Sequence, residues 1–214
     1  MKKKNENKKT SQKASSEKGF PKKAFGKSPD ISKMVVIALL SALAFVLMTY
    51  AKLPVKYLGF LEMELSDVPA VIAAFSYGPV SGVLVELIKN LLHLPLTSTG
   101  GVGELANFLV MSAFVIPAGI LRKKKKPVFV FTVCVAAMVI CGIIVNMYIT
   151  VPFYIKVFGG EKVVFGLVQN TIKYIDSVPK LVIIGITPFN VVKGIVDSIA
   201  GYYVYKALRK GKMG

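Results

Sequence analysis

The chain has 214 residues, 54% of them hydrophobic, with 28 Lys or Arg against 11 Asp or Glu and a net charge of +17. That is more apolar surface than one soluble domain of this length buries, and it is gathered in long runs, so a bilayer is the expected solvent. The basic excess lies between those runs and at the ends of the chain, where membrane proteins carry their orientation signals, which argues against nucleic acid as a partner.

Residues 1–33 are Lys-rich and nearly free of large aliphatics, and are expected to form a disordered basic cytoplasmic tail. Six membrane spans are expected to follow as an all-α domain over residues 34–208, taking about 20 residues as the usual crossing length. The first covers residues 34–51. A short second span starts near residue 66 and ends at the turn signal "SYGP". The third, residues 80–94, is closed by Pro95 and the polar stretch "TSTGG", and the fourth, residues 103–121, stops at "RKKKK". The fifth covers residues 128–151 and the sixth 189–208, followed by a C-terminal tail, residues 209–214. Between the last two, residues 152–188 are punctuated by Pro179 and read as a lid or interfacial helix, not a seventh span. Keeping the basic clusters inside places both termini and residues 122–126 on the cytoplasmic face. The loops 52–67, 95–102 and 152–188 then face outward.

Polar groups inside apolar helices are costly and mark a site or an internal pair. On the third span Glu86, Lys89, Asn90 and His93 recur at spacings that share one helix side. Glu86 with Lys89 reads either as an internal ion pair or as part of a site, and His93 as a satisfied interfacial histidine or a proton relay. Glu104 and Asn107, after the glycines of "GGVGELANF", read as a cap or as a ligand-facing edge. Asn146 stands near the outer end of the fifth span. Asn190 and Lys193 stand at the outer start of the sixth, three residues apart and on one side of the helix. Lys193 alone would also suit a lysine that snorkels to the interface. Together these groups gather at one depth and describe an outward pocket, roofed by the loop "KYLGFLEMELSDVP" and walled by Tyr57, Phe60, Tyr148 and Phe153. Asp197 is isolated on the last span. Cys134 and Cys141, seven residues apart on one expected helix, read as buried fillers.

Three motifs in order, "ELSDVPAVIAAFSYGPVSGVLVELIKNLLH", "TGGVGELANF" and "PFNVVKG", resemble the substrate-binding S components of energy-coupling factor (ECF) vitamin transporters, most closely the riboflavin-specific branch. The resemblance covers nearly all of the chain after Lys33. It implies a multi-pass protein of the prokaryotic cell membrane that binds riboflavin with high affinity from outside and carries no cofactor. Its partners would be a transmembrane coupling subunit, EcfT, and two ATPase subunits, since the chain has no G-x-x-x-x-G-K-[ST] loop of its own. Asn146, Asn190 and Lys193 match the ligand-contacting positions of that branch. Phe60, Leu61 and Glu64 in the outer loop, with Glu104, Asn107 and Tyr148, complete the expected binding set. Ala38 and Ala42 on the first span form a small-xxx-small pair suited to docking the coupling subunit, or simply to packing within the chain.

Other classes make different demands. A membrane enzyme would need clustered carboxylates near the cytoplasmic face, whereas Glu62, Glu64, Asp67, Glu104 and Asp176 all fall on the expected outer side. A proton-coupled carrier with Glu86 and His93 as relay would gain support from inverted repeats, and none is visible. Thiamine or a folate is the alternative ligand class for an S component.

Overall fold

Helix α1 (Ile31–Tyr50) is a 20-residue run, roughly 30 Å at the usual rise, which matches the hydrocarbon thickness of a bilayer. The computed structural model describes residues 30–58, 61–123 and 126–211, and Ser32–Gly214 forms the unit considered below. Most of the expected tails therefore lie outside the described residues. The first residues of α1 and the last of α9 (Thr187–Gly211) fall inside the stretches read as tails.

After α1 the chain makes an antiparallel hairpin of β1 (Lys52–Tyr57) and β2 (Leu61–Glu64), paired as Lys52 with Glu64 and Tyr57 with Leu61. This corrects the all-α expectation. The stretch "KLPVKY" alternates in the period of a strand, a pattern too short to stand out beside the long apolar runs. Leu58, between the strands, has φ 53 and is fully buried.

Helix α2 (Val68–Tyr77) buries every residue from Val68 to Phe75. A helix apolar on all sides belongs in the middle of a bundle, and α2 packs against α3 (Pro79–His93), α4 (Val102–Leu121) and α9. Arg122 donates to the Ala74 carbonyl at 2.5 Å and so ties the end of α2 to the end of α4. Among the described residues, four helical runs are long and apolar enough to cross a membrane: Ile31–Tyr50, Val102–Leu121, Pro127–Val157 and Val178–Leu208. Their outer faces expose Leu39, Ile140, Ile144, Ile195 and Ile199, as expected where lipid replaces water.

The last two of these runs are longer than the sequence suggested: Pro152 lies within the continuous run Pro127–Val157, and Pro179, which read as a break, stands in the first turn of the run Val178–Leu208. Pro152 stands at the start of α6 (Val151–Val157), directly after α5 (Pro127–Val145) and a π-type turn at Asn146–Thr150. Pro179 opens a single turn, α8 (Val178–Lys180), which runs through a second π-type turn, Leu181–Ile186, into α9. Pro179, in the first turn of its run, sacrifices an N–H that has no partner there, whereas Pro152 is accommodated inside its run beside the π-type turn. Thr150 and Thr187 hydroxyls donate to the carbonyls of Val145 and Val182, at 3.5 and 2.9 Å, and so satisfy groups that the π turns loosen. What remains of the expected outer loop is α7 (Glu161–Gln169), whose Val164, Phe165 and Val168 are buried.

Two apolar clusters result. One joins α2 to α5 through Phe75, Val85, Phe114 and Met138, and the other gathers Leu58, Tyr154, Phe165, Leu181 and Ile186. At one joint of the first cluster the fit leaves no room: a Cβ on Gly119 of α4 would meet the backbone nitrogen and Cα of Pro79. Backbone cannot give way as a side-chain tip can, so Gly119→Ala should lower stability by about 1–3 kcal/mol, the usual cost of overpacking. Gly166 on α7 has nothing within 4 Å of its would-be Cβ. Gly166→Ala is the matched control, expected to leave thermal unfolding in detergent unchanged or slightly improved.

Candidate ligand-binding site

A cavity of about 460 Å³ lies between the two clusters, lined by Met111 and Met138 from the first and by Tyr154 and Ile186 from the second. The volume is that of a small-molecule site. Hairpin residues Leu61 and Glu64, Glu104 and Asn107 of α4, Asn146 of the first π turn, and Asn190 and Lys193 of α9 all line it. The fold thus brings together seven residues of the expected set from four stretches of chain, and His93 at the end of α3 joins them. Phe60 lies outside the described residues.

Tyr148 is a correction. It is 76% exposed and does not line the cavity. At about 100° per residue it stands roughly 200° around the helix from Asn146, so the two face opposite ways. Thr150, Tyr154 and Phe158 continue the cavity side instead. Tyr57 and Phe153 are likewise not lining residues. Tyr57 stacks on Phe189, with ring centroids 5.8 Å apart and planes 7° from parallel, and braces that ring against the cavity. Phe153 packs in the second apolar cluster. The aromatic wall is therefore Tyr154, Phe158 and Phe189. The available signals were the positions of Tyr154 and Phe158, eight and twelve residues after Asn146, and of Phe189 beside Asn190.

The amides are only partly used by the protein. Asn107 accepts from Lys89 through Oδ1 at 3.3 Å, which leaves its NH2 group without a protein partner among the described residues. Asn146 donates its NH2 to the Gly142 carbonyl at 2.7 Å, leaving its oxygen free. The partners fix both orientations, since an ammonium only donates and a carbonyl only accepts. Asn190 is buried, and its side chain makes no hydrogen bond among the described residues. It fits against α5 because Gly142 is a glycine: a Cβ there would stand 2.7 Å from the Asn190 nitrogen.

The charged groups that line or adjoin the cavity are, with the exception of Asp197, paired. His93 Nδ1 lies 2.9 Å from Glu104 Oε1, and Glu104 Oε2 accepts from the hydroxyls of Thr97 and Thr99 at 2.8 and 3.3 Å. Glu104 thus fastens the turn before α4 while one side of it faces the cavity. Glu86 and Lys89 form an ion pair at 2.8 Å, fully buried, and Lys89 also contacts Asp67. Lys193 lies 2.7 Å from Asp67 and 3.7 Å from Glu64, so it is held inward and does not snorkel. Ser66 donates to Glu64 at 2.9 Å. Asp67, which the sequence reading placed only in an outer loop, is the acid common to both lysines. The carboxylate of Asp197 is buried and has no hydrogen-bond partner among the described residues.

Long apolar helices enclosing a polar, aromatic-walled cavity define a helical membrane protein with an internal binding site. Residues 32–205 match the family described as ECF transporter, substrate-specific component, and the chain belongs to that family. It is 34% identical over 181 residues to the riboflavin transporter RibU of Staphylococcus aureus (strain TCH60), covering 82% of this chain and 89% of that protein. It is also 34% identical over 190 residues to the riboflavin transporter FmnP of Bacillus subtilis (strain 168), covering 84% and 93%. The fold is similar to a solved S component of a bacterial ECF transporter, with a TM-score of 0.65 and 31% identity over 84% of this chain and 96% of the other.

Proposed function

We propose that the chain is the riboflavin-binding S component of an ECF importer, a six-span protein of the cell membrane with both termini cytoplasmic and its cavity open to the outside. The observation that carries this reading is the set of unused amide groups on Asn107, Asn146 and Asn190, placed around a cavity with an aromatic and methionine-rich wall. A flavin has an apolar tricycle, a uracil-like edge of alternating donors and acceptors, and a polyhydroxylated chain. Free amide donors and acceptors match the edge and the hydroxyls, and Phe189 with Tyr154 matches the ring. The names of the two relatives point to the same ligand. Riboflavin is the transported ligand, and no cofactor is required. Import requires a coupling subunit, EcfT, and two ATP-hydrolysing subunits, with the exposed Ala38 and Ala42 of α1 as the docking face.

The test is titration of the detergent-purified protein with riboflavin, followed by quenching of flavin fluorescence. Lys193 contributes a charge-assisted donor on the cavity wall, worth about 1.5–3 kcal/mol. Lys193→Met should therefore weaken binding about tenfold to a hundredfold with the helix content intact. Unchanged quenching in the mutant would remove Lys193 from the site, and no quenching by the wild type would reject the flavin reading.

A further inference from the structure

The charged groups beside the cavity are not equivalent. Lys193 and Glu64 both line it, whereas Asp67, just before α2, is fully buried and does not. Lys193 has two acids within reach, Asp67 at 2.7 Å and Glu64 at 3.7 Å. An ammonium has three N–H donors. The ion pair with Asp67 Oδ2 turns part of the ammonium to a residue that does not line the cavity. The remaining donors, and the Glu64 oxygen that Ser66 does not occupy, are then left for a ligand.

From this geometry we infer that Asp67 is a positioning residue for ligand recognition: it holds Lys193 away from Glu64, so that both present free hydrogen-bonding capacity to the cavity. The inference rests on the reading of Lys193 as a ligand contact. Without Asp67, the nearest acid for Lys193 is Glu64. The two would close into a pair that uses up a donor and an acceptor meant for the ligand. The bundle has reason to survive this change. Lys89, the other partner of Asp67, keeps Glu86 at 2.8 Å. With Asp67 removed, Lys89 keeps Glu86 and Lys193 keeps Glu64 within reach, so neither lysine is left without an acid. Buried charges unfold a protein when stranded, and Asp67→Asn strands neither lysine.

The test is a double-mutant cycle on the full chain in detergent, with riboflavin affinity and thermal unfolding measured for the wild type, Asp67→Asn, Lys193→Met and the double variant. Asp67→Asn should lower affinity about tenfold to a hundredfold, the scale of losing a charge-assisted bond, although Asp67 touches no ligand. In the Lys193→Met background the same change should cost less than about twofold, because its route to the ligand is gone. Equal losses in both backgrounds would mean that Asp67 acts only through the general fold and would overturn the proposal. So would an unchanged affinity for Asp67→Asn. Should Asp67→Asn fail to fold, Asp67→Glu, which keeps the charge and displaces it by one methylene, goes through the same cycle, with the same two results deciding it. If Lys193→Met binds normally, the ligand contact assigned to Lys193 fails first and the positioning role falls with it, a result distinct from a failure at Asp67 alone.

Discussion

Replacing Ala38 and Ala42 together by leucine is expected to reduce riboflavin uptake by cells to background while leaving flavin affinity unchanged. Both alanines are exposed on α1, whereas Ile37, Ser41, Ala44 and Met48 of the same helix are buried against the bundle. The two faces of α1 are thus separate. The inner face reaches the cavity only through Met48, and the outer one carries Ala38 and Ala42, four residues apart, whose small side chains let another helix come close. In lipid, helices associate chiefly by close packing, because hydrocarbon offers no hydrophobic drive, so two isobutyl groups on the strip remove the contact and leave little to replace it. A binder that cannot dock cannot be driven, hence the complete loss of transport. The measurements are uptake of labelled riboflavin in cells that express the whole importer, co-purification with the coupling subunit, and a riboflavin titration of the purified variant. Co-purification at the wild-type yield would count against the docking face. A parallel loss of affinity would show that α1 serves the cavity and not a partner.

The binding groups that the sequence disclosed share one property: they act through spacing along a single helix or motif. Asn190 and Lys193 stand three residues apart in "PFNVVKG", Glu104 and Asn107 three apart in "GELANF", and each pair reaches the cavity as its spacing requires. Asp67 was missed for the opposite reason. Its partners are on α3 and α9, far along the chain, and nothing in "LSDVP" distinguishes an acid that begins a helix from one that binds two lysines. Tyr148 was misplaced because an aromatic residue near Asn146 in sequence is not near it around the helix. The stretch between Val151 and Phe189 was read as a lid or interfacial helix because Pro179 is a breaker in the interior of a helix, whereas it sits in the first turn of the run Val178–Leu208. Local periodicity therefore located the long apolar helices and the polar stripes, and tertiary contact decided which aromatic rings and which acid line or brace the cavity.

The lone chain, reconstituted in liposomes, is expected to bind riboflavin and not to concentrate it, even with a proton gradient imposed. Concentrating a solute tenfold costs about 1.4 kcal/mol, which binding at equilibrium cannot supply. Accumulation needs two states of differing affinity and a reaction that drives one into the other. The 214 residues contain no G-x-x-x-x-G-K-[ST] loop, in keeping with the proposal that partner subunits hydrolyse the ATP. A proton gradient is the one alternative with residues to serve it, namely the unpartnered Asp197, Glu86 and the His93–Glu104 pair. Yet Glu86 is committed to Lys89, and His93 and Glu104 to each other. Labelled riboflavin inside the vesicles should therefore rise only to the external concentration, or not at all, whatever the pH difference. Uphill accumulation that collapses with a protonophore would overturn the S-component mechanism and make Asp197 and Glu86 the first residues to neutralise.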